Sequence, residues 1–417
     1  MNAFHYRKGV LHAEGVSLQA VAKRFGTPTY AYSGTALASA FRQLDEAFSG
    51  VEHLICYSVK ANSHLAILER FSELGSGFDV VSGGELARVL KVGGSAKKTV
   101  FAGVGKTRDE MARALSAGIL LFNVESAEEL DALDSAAREQ GKRAPIALRV
   151  NPHVDARTHR YIATGLQTSK FGIPFKEAAQ LYAKAKRMRG VEPLGIDFHI
   201  GSQLTDLAPI AEATSRVAEF YRTLVSQGLP LRYLDVGGGL GISYGKEKPP
   251  TVQAYARVVR RAAAQTGAML LLEPGRSLVG AAGVLLTQVL YRKQSPHKRF
   301  VVVDAGMNDL IRPALYEAHH GILPVRRTRG TSQTVDVVGP VCESSDVLAS
   351  GRRVVIPKVG ALWAIENVGA YGMSMASTYN SRPRPAEVWV DGARMTVIRE
   401  RERIEDLWRG EKRLVNV

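Results

Sequence analysis

The feature that most constrains this chain is a repeated order of elements between residues 53 and 272. A short apolar segment typical of a strand is followed by a polar turn and an amphipathic helical pattern, again and again. The expected strands are His53–Val59, Phe78–Val81, Thr99–Ala102, Leu120–Val124, Ile146–Val150, Gly195–Ile200, Tyr233–Val236 and Met269–Leu272. The expected helices are Leu65–Leu74, Glu85–Val92, Arg108–Ala117, Ala127–Gln140, Lys176–Met188, Pro209–Ser226 and Val252–Gln265. This order predicts an α/β fold with a closed (β/α)8 TIM-like barrel, and an open doubly wound sheet is the alternative.

After residue 280 the pattern changes to short β-branched runs separated by Gly, Pro and Asp. The expected strands there are Val284–Tyr291, Arg299–Val303, Thr334–Val338, Arg353–Pro357, Ala386–Val390 and Arg394–Arg399. Phe4–Tyr6 and Val10–His12 are also strand-like. We therefore predict an N-terminal segment, residues 1–29, that joins a mostly antiparallel C-terminal β domain, residues 281–417, and a barrel over residues 30–280.

Length and composition favour a cytoplasmic protein of the size of an enzyme. The net charge is +15, but its basic residues form short scattered groups without interleaved aromatics, which favours a solvated surface over a specific nucleic-acid site. The apolar run Leu278–Leu290 is too short to span a bilayer, and the first residues lack the apolar core of a signal peptide. Two cysteines cannot form a disulfide framework and indicate a reducing compartment. We expect neither a membrane partner nor a metal site.

Polar residues or glycines follow almost every expected barrel strand, where barrel enzymes place their active sites. Lys60 follows the first strand and shares a face with Ser58 and Cys56 by alternation. A lysine in a barrel mouth is costly to bury unless it is paired or covalently used. A strand-end lysine that reaches water is an equally good interpretation of this position alone.

Three further segments suggest a phosphate-bearing heterocyclic cofactor, although each has a purely structural alternative. The Gly237–Gly239 turn lets backbone N–H groups approach a phosphate, but it also suits a tight connection; Ile242 breaks the dinucleotide pattern. Glu273 and Arg276 could clamp each other, or could face a ring nitrogen and an anion. His199 could be a core histidine or could stack on a planar ring.

Ordered motifs along nearly the whole chain carry a family resemblance. They are Tyr57-Ser58-Val59-Lys60-Ala61-Asn62, Ser82-Gly83-Gly84-Glu85-Leu86, Ser169-Lys170-Phe171-Gly172-Ile173, Phe198-His199-Ile200-Gly201-Ser202-Gln203, the triple-glycine turn, Glu273-Pro274-Gly275-Arg276 and Cys342-Glu343-Ser344. On these motifs the chain resembles the fold-type III pyridoxal-phosphate decarboxylases, and among them the branch that acts on diaminopimelate.

The resemblance implies a role for each matching position. Lys60 would hold pyridoxal 5'-phosphate as a Schiff base, and Cys342 would donate a proton to the reacting carbon. The remaining cofactor contacts would be His199 against the ring, Glu273 at the ring nitrogen, and Ser202, Gly238, Gly239, Gly275, Arg276 and Tyr371 at the phosphate. The substrate contacts would be Arg276, Arg312 and Tyr316 at the remote carboxylate, Glu343 at the remote ammonium, and Tyr371.

The implied reaction is decarboxylation of meso-2,6-diaminopimelate to L-lysine, the last step of lysine biosynthesis. The alternatives are another diamino acid or polyamine precursor, such as ornithine or carboxynorspermidine, and a non-catalytic regulator on the same scaffold. The resemblance also implies a homodimer in which Cys342 and Glu343 reach the neighbouring subunit's barrel. Ser345 stands where the family more often has glycine. The long polar loop Asn151–Phe175 is expected to act as a lid.

Overall fold

The computed structural model describes residues 3–155, 170–245 and 247–414. The chain forms two compact units. One contains residues 38–243 and 247–278, and the other contains residues 3–37, 244–245 and 279–414. Much of the loop expected to be a lid, residues 156–169 with His159, lies outside the described residues.

The first unit is a closed parallel barrel, as the sequence predicts. Its strands are β1 (His53–Ser58), β2 (Gly77–Val80), β3 (Thr99–Phe101), β4 (Leu121–Val124), β5 (Ala144–Asn151), β6 (Val191–Asp197), β7 (Tyr233–Asp235) and β8 (Met269–Leu272). Each pairs in parallel with the next, and the pairing of β8 with β1 closes the ring. Cys56, Val100, Leu121, Ala147 and Leu271 form a fully buried cluster in this unit, so Cys56 is a core residue.

Helices connect the strands and begin where the sequence supplies caps. Their ranges are Gly34–Ala47, Leu65–Glu73, Gly83–Lys91, Arg108–Ala117, Ala127–Glu139, Phe175–Ala185, Ala208–Ser226, Val252–Ala263 and the short Arg276–Val279. A capping box joins Thr107 and Glu110 at the start of the helix Arg108–Ala117. Ser126 caps the next helix, but the Glu129 carboxylate accepts from the Glu125 N–H and pairs with Lys106 instead.

Two strand ends differ from the prediction, and both differences place site residues in turns. Strand β1 ends at Ser58, and Lys60 lies in the 3-10 turn Val59–Ala61 that follows. Strand β6 covers residues 191–197 rather than 195–200, because its neighbour β7 stops pairing at Asp235, opposite Asp197. His199 therefore lies in the connection after the strand.

The second unit is a mixed, mostly antiparallel β domain. Its strands are Phe4–Arg7, Val10–Ala13, Val16–Ser17, Thr29–Ser33, Gly283–Gln294, Arg299–Val303, Ile322–Pro324, Ser332–Val338, Val347–Val355, Leu362–Ile365, Ala386–Asp391 and Arg394–Arg399. Its α-helices are Leu18–Phe25 and Arg312–Tyr316. Two pairings in the large sheet are parallel: Arg299–Val303 with Ser332–Val338, and Thr29–Ser33 with Ala386–Asp391.

The N-terminal segment packs into this β domain. Phe4 and Leu11 share a buried cluster with Val284 and Val388. The sequence did not predict the strand Thr29–Ser33, whose five residues are all buried and lack the polar alternation of a half-exposed strand. The domain limits at residues 29/30 and 280/281 stay predictions. None of the helices in the described ranges combines the length and hydropathy of a membrane span.

Candidate active site

The Lys60 amine lies beside a buried carboxylate at the mouth of the barrel. Strand register sets Ser58 opposite Asp79, and the Oδ2 atom of Asp79 accepts hydrogen bonds from Ser58 Oγ at 2.6 Å and from Lys60 Nζ at 2.7 Å. Asp79 is fully buried, whereas the Lys60 side chain is 40% exposed. A buried acid therefore holds the lysine at the mouth of the barrel, where part of its side chain is exposed.

Three acids meet at the ends of β6, β7 and β8. One carboxylate oxygen from each of Asp197, Asp235 and Glu273 lies within 4.8 Å of the others. Asn123 on β4 bridges two of them, since its Nδ2 lies 3.2 Å from Asp235 Oδ2 and 3.3 Å from Glu273 Oε1. Arg149 is also in contact, with Nε 3.8 Å from Asp197, so a guanidinium already compensates part of the charge that a metal ion would balance.

The burial of these acids favours their protonated forms. Desolvation and the charge of Asp197 raise the pKa of Asp235 to about 8. Desolvation and the charge of Asp235 raise the pKa of Glu273 well above its ordinary value. Burial thus favours the protonated form of Glu273, which can share its proton with a basic ring nitrogen, as a pyridine cofactor requires.

His199 presents a neutral imidazole in the same mouth. The Gly238 N–H lies 3.3 Å from its Nδ1, which therefore accepts and leaves the proton on Nε2. Although solvent reaches part of the ring, desolvation and then the Arg149 charge hold the His199 pKa well below its ordinary value. A neutral planar ring suits stacking against an aromatic heterocycle.

Close backbone packing explains the glycine turn after β7. A Cβ on Gly238 would lie 2.1 Å from the Glu273 carbonyl oxygen, and one on Gly239, with φ +106°, would lie 2.4 Å from that of Gly201. Close backbone packing alone therefore explains why these positions are glycine. A contact between their N–H groups and a phosphate would be a second function of the same turn. Nearby, Arg276 Nη2 donates to Ser202 Oγ at 3.2 Å, a cationic and hydroxyl pair suited to an anion.

The barrel residues fit pyridoxal phosphate. Among the described residues, Asp79 Oδ1, Asn123 Oδ1 and Asp197 Oδ1 are buried oxygens without a hydrogen-bond donor. Buried polar atoms are rarely left in this state, so a ligand with a donor group suits this end of the barrel. The same strand ends carry four groups that suit this cofactor: the Lys60 amine, the neutral His199 imidazole, the Glu273 carboxyl group and the Arg276–Ser202 pair.

The β domain carries the other predicted site residues. Arg312 is buried and Tyr316 half-buried on the helix Arg312–Tyr316, and Arg312 stacks 4.6 Å from the centre of the Tyr244 ring. Tyr371 adopts the left-handed backbone conformation at φ 57°. Such conformations are costly for side chains other than glycine and are concentrated at functional sites.

Cys342 and Glu343 lie on an exposed loop that sequence-distant residues hold in place. The Cys342 N–H donates to Asn380 Oδ1 at 2.8 Å, and Asn380 is left-handed at φ 56°. Ser345 Oγ donates to Glu343 Oε1 at 2.5 Å. Hydrogen bonds from Ser345 and then Tyr379 lower the Glu343 pKa, so this carboxylate stays charged. Sequence reasoning missed Asn380 and Tyr379, for which no local pattern gave a signal.

The profile of the family "Pyridoxal-dependent decarboxylase, pyridoxal binding domain" matches residues 35–280. This chain belongs to the pyridoxal-dependent decarboxylases. It is 50% identical to the diaminopimelate decarboxylase of Pseudomonas fluorescens over 99% of this chain and 100% of that protein. The Vibrio cholerae enzyme of that name is 50% identical over 98% of each chain.

A solved structure of another decarboxylase of that name superposes closely on this chain. It is the Helicobacter pylori diaminopimelate decarboxylase complexed with L-lysine, with a TM-score of 0.91, 46% identity, and coverage of 94% of this chain and 98% of that one. The predicted fold class and the predicted pyridoxal phosphate cofactor are thereby confirmed. The roles of the individual site residues stay predictions.

Proposed function

We propose that this enzyme converts meso-2,6-diaminopimelate to L-lysine and carbon dioxide, the last step of lysine biosynthesis. The observation that carries this proposal is full-length similarity, at about half of all positions, to proteins named diaminopimelate decarboxylase. The geometry agrees with it. The barrel holds a cluster of buried acids suited to a protonated pyridine ring, and the β domain holds a buried guanidinium suited to a second carboxylate.

In this proposal the barrel residues hold the cofactor and its ring proton. Pyridoxal phosphate supplies a protonated ring that accepts the electron pair left behind when the carbon–carboxylate bond breaks. Lys60 would bind the cofactor covalently, His199 would stack on its ring, and Glu273 would keep the ring nitrogen protonated. The phosphate would be held by Ser202, Gly238, Gly239, Gly275, Arg276 and Tyr371.

The β-domain residues would select the substrate and complete the proton transfer. Arg312 and Tyr316, together with Arg276 of the barrel, would bind the carboxylate remote from the reacting carbon, with Tyr371 beside it. Glu343 would bind the remote ammonium. The Cys342 thiol would give its proton to the carbon that has lost carbon dioxide and would regain one from solvent.

We also propose that the enzyme is a cytoplasmic homodimer. The exposed Cys342–Glu343 loop is one that, by the family resemblance, reaches a neighbouring barrel. A thiol that transfers protons has to remain reduced, which fits a reducing compartment.

The decisive experiment measures carbon dioxide and amino-acid products with a panel of diamino acids and added cofactor. We expect release from meso-2,6-diaminopimelate with stoichiometric L-lysine, and at most slow release from ornithine or carboxynorspermidine. Preference for ornithine would contradict the assignment. No release from any of them would favour a non-catalytic regulator.

A further inference from the structure

A buried imidazole lies against the Arg312 guanidinium. His320 has no exposed surface, its Nε2 lies 2.9 Å from Arg312 Nη1, and its Nδ1 lies 2.8 Å from the carbonyl oxygen of Glu366. A guanidinium only donates hydrogen bonds and a carbonyl only accepts them, so Nδ1 carries the proton and Nε2 accepts from the arginine. These contacts specify the neutral tautomer of His320.

A second restraint acts on the face of the guanidinium. Arg312 stacks at 4.6 Å over the Tyr244 ring, and His320 meets that ring edge-on, with centroids 5.1 Å apart and an interplanar angle of 76°. The backbone of Tyr244 is itself held in place by a hydrogen bond, because His319 Nδ1 lies 2.8 Å from the Tyr244 carbonyl oxygen. His320 and Tyr244 therefore fix both the direction and the plane of the guanidinium.

The chemical nature of this partner matters. Buried arginines are usually paired with a carboxylate, and such a pair cancels most of the charge that a ligand could use. A neutral imidazole orients the guanidinium and leaves its charge intact. The hydrogen bond from Arg312 to His320 thus orients the guanidinium without itself cancelling the positive charge.

We propose that His320 is a positioning residue for Arg312, and through it a determinant of selectivity for amines that carry a carboxylate remote from the reacting carbon. The proposal rests on the proposed function for the role of Arg312 alone. His320 itself would not touch the substrate.

Two conservative variants separate the two nitrogen atoms of His320. A glutamine amide oxygen can take the place of Nε2 and still accept from Arg312, so His320→Gln is the matched rescue variant. An asparagine amide reaches only as far as Nδ1, so His320→Asn keeps the contact with the Glu366 carbonyl and loses Arg312. A merely structural role for the imidazole would not distinguish these variants in this order.

The test measures calorimetric binding of two probes to the cofactor-loaded protein. L-Lysine keeps one carboxylate, and 1,5-diaminopentane has none, so their affinity ratio reports the carboxylate contact. For the unmodified protein we expect a preference for lysine, and for folded His320→Asn a fall of that preference by about tenfold or more, the typical effect of losing a hydrogen bond to a charged group. His320→Gln should retain most of the preference.

The outcomes separate the two proposals. A folded His320→Asn protein with unchanged preference would overturn the inference, provided that Arg312→Met abolishes the preference. If Arg312→Met also has no effect, the assignment of Arg312 to the remote carboxylate has failed instead. Should His320→Asn not fold, as judged by circular dichroism and bound-cofactor absorbance, loss of the preference in folded His320→Gln would equally overturn the inference.

Steady-state kinetics give an independent readout. Because His320 acts on binding of the remote carboxylate, His320→Asn should raise KM for diaminopimelate by about tenfold and leave kcat within about twofold. A fall in kcat with KM unchanged would contradict a positioning role at the remote carboxylate.

Discussion

The barrel mouth and the loops of the β domain hold their predicted site residues by different means. In the barrel, parallel strand pairing brings Lys60, Asp79 and Glu273 to the same end, and burial raises the pKa of Glu273. In the β domain, Cys342 is held by a side chain from a left-handed residue far along the chain, Asn380. The first arrangement creates a fixed electrostatic environment that suits a cofactor, and the second would place individual groups for a substrate.

The largest expected effect tests the barrel side of this comparison. Lys60→Ala removes the amine that would bind the cofactor, so we expect covalent attachment to vanish and turnover to fall by on the order of 10³ or more. Borohydride reduction followed by peptide mass spectrometry measures the attachment. The exposed Lys97→Ala variant is the control and should stay labelled at Lys60. Undiminished labelling of Lys60→Ala would refute the assignment.

The next effect tests the β-domain side with the same kind of control. Cys342→Ala removes the proposed proton donor, so turnover should fall by about 10²- to 10⁴-fold while the bound-cofactor absorbance remains. Cys56→Ala is the matched control, because this thiol is fully buried and desolvation raises its pKa well above the ordinary value. It should lose some thermal stability and keep its activity. Full activity of Cys342→Ala would exclude the thiol as donor.

The barrel and the β domain also differ in how much of each could be predicted from the sequence. The repeated strand–helix order was enough to place Lys60, His199 and Glu273 at one end of a barrel, because parallel crossovers bring the carboxyl ends of all the strands to the same side. The roles of the β-domain residues came from the resemblance alone. No period links Cys342 to Asn380 or Arg312 to His320, since irregular segments are positioned by tertiary contacts.

A third variant asks whether the buried acids of the barrel act together. Asn123→Ala removes the amide that donates to both Asp235 and Glu273, so the Glu273 carboxylate that would pair with the protonated ring nitrogen loses a hydrogen-bond donor. We expect the cofactor to dissociate about tenfold more readily, as measured by absorbance during dialysis. Asn380→Ala in the β domain should leave cofactor retention unchanged. Equal retention in both variants would mean that the acids act independently of Asn123.

The β domain has its own buried acid, Asp309. It allows a test of whether burial alone raises the pKa of a carboxyl group, as it does for the barrel acids. Desolvation raises the pKa of Asp309 from 3.8 to about 7, although the Gly306 N–H opposes this by donating to the carboxylate. The folded state therefore binds the proton more tightly than the unfolded state. The resulting stability is complete below about pH 4 and is lost as pH rises towards 7.

Asp309→Asn removes this titration. Between pH 4 and 7, the wild type should lose up to about 1.4 kcal/mol of unfolding free energy per pH unit relative to the variant. Thermal unfolding at several pH values measures the difference. Parallel pH profiles for the two proteins would show that Asp309 titrates normally.

The smallest expected effect concerns Ser345, the position at which the family resemblance leads us to expect glycine. Ser345 donates to Glu343, and Tyr379 also lowers the Glu343 pKa by hydrogen bonding, so two hydroxyl groups orient one exposed carboxylate. Because both hydroxyl groups are exposed and both donate to Glu343, Ser345→Gly should raise KM for diaminopimelate only about two- to threefold. Tyr379→Phe should act similarly, and the effect of the double variant on KM should exceed the product of the two single effects, since both hydroxyl donors are then lost. Strictly multiplicative effects on KM would show that each hydroxyl acts independently. The Glu343 carboxylate would then be oriented by two separate hydrogen bonds rather than by a cooperative network.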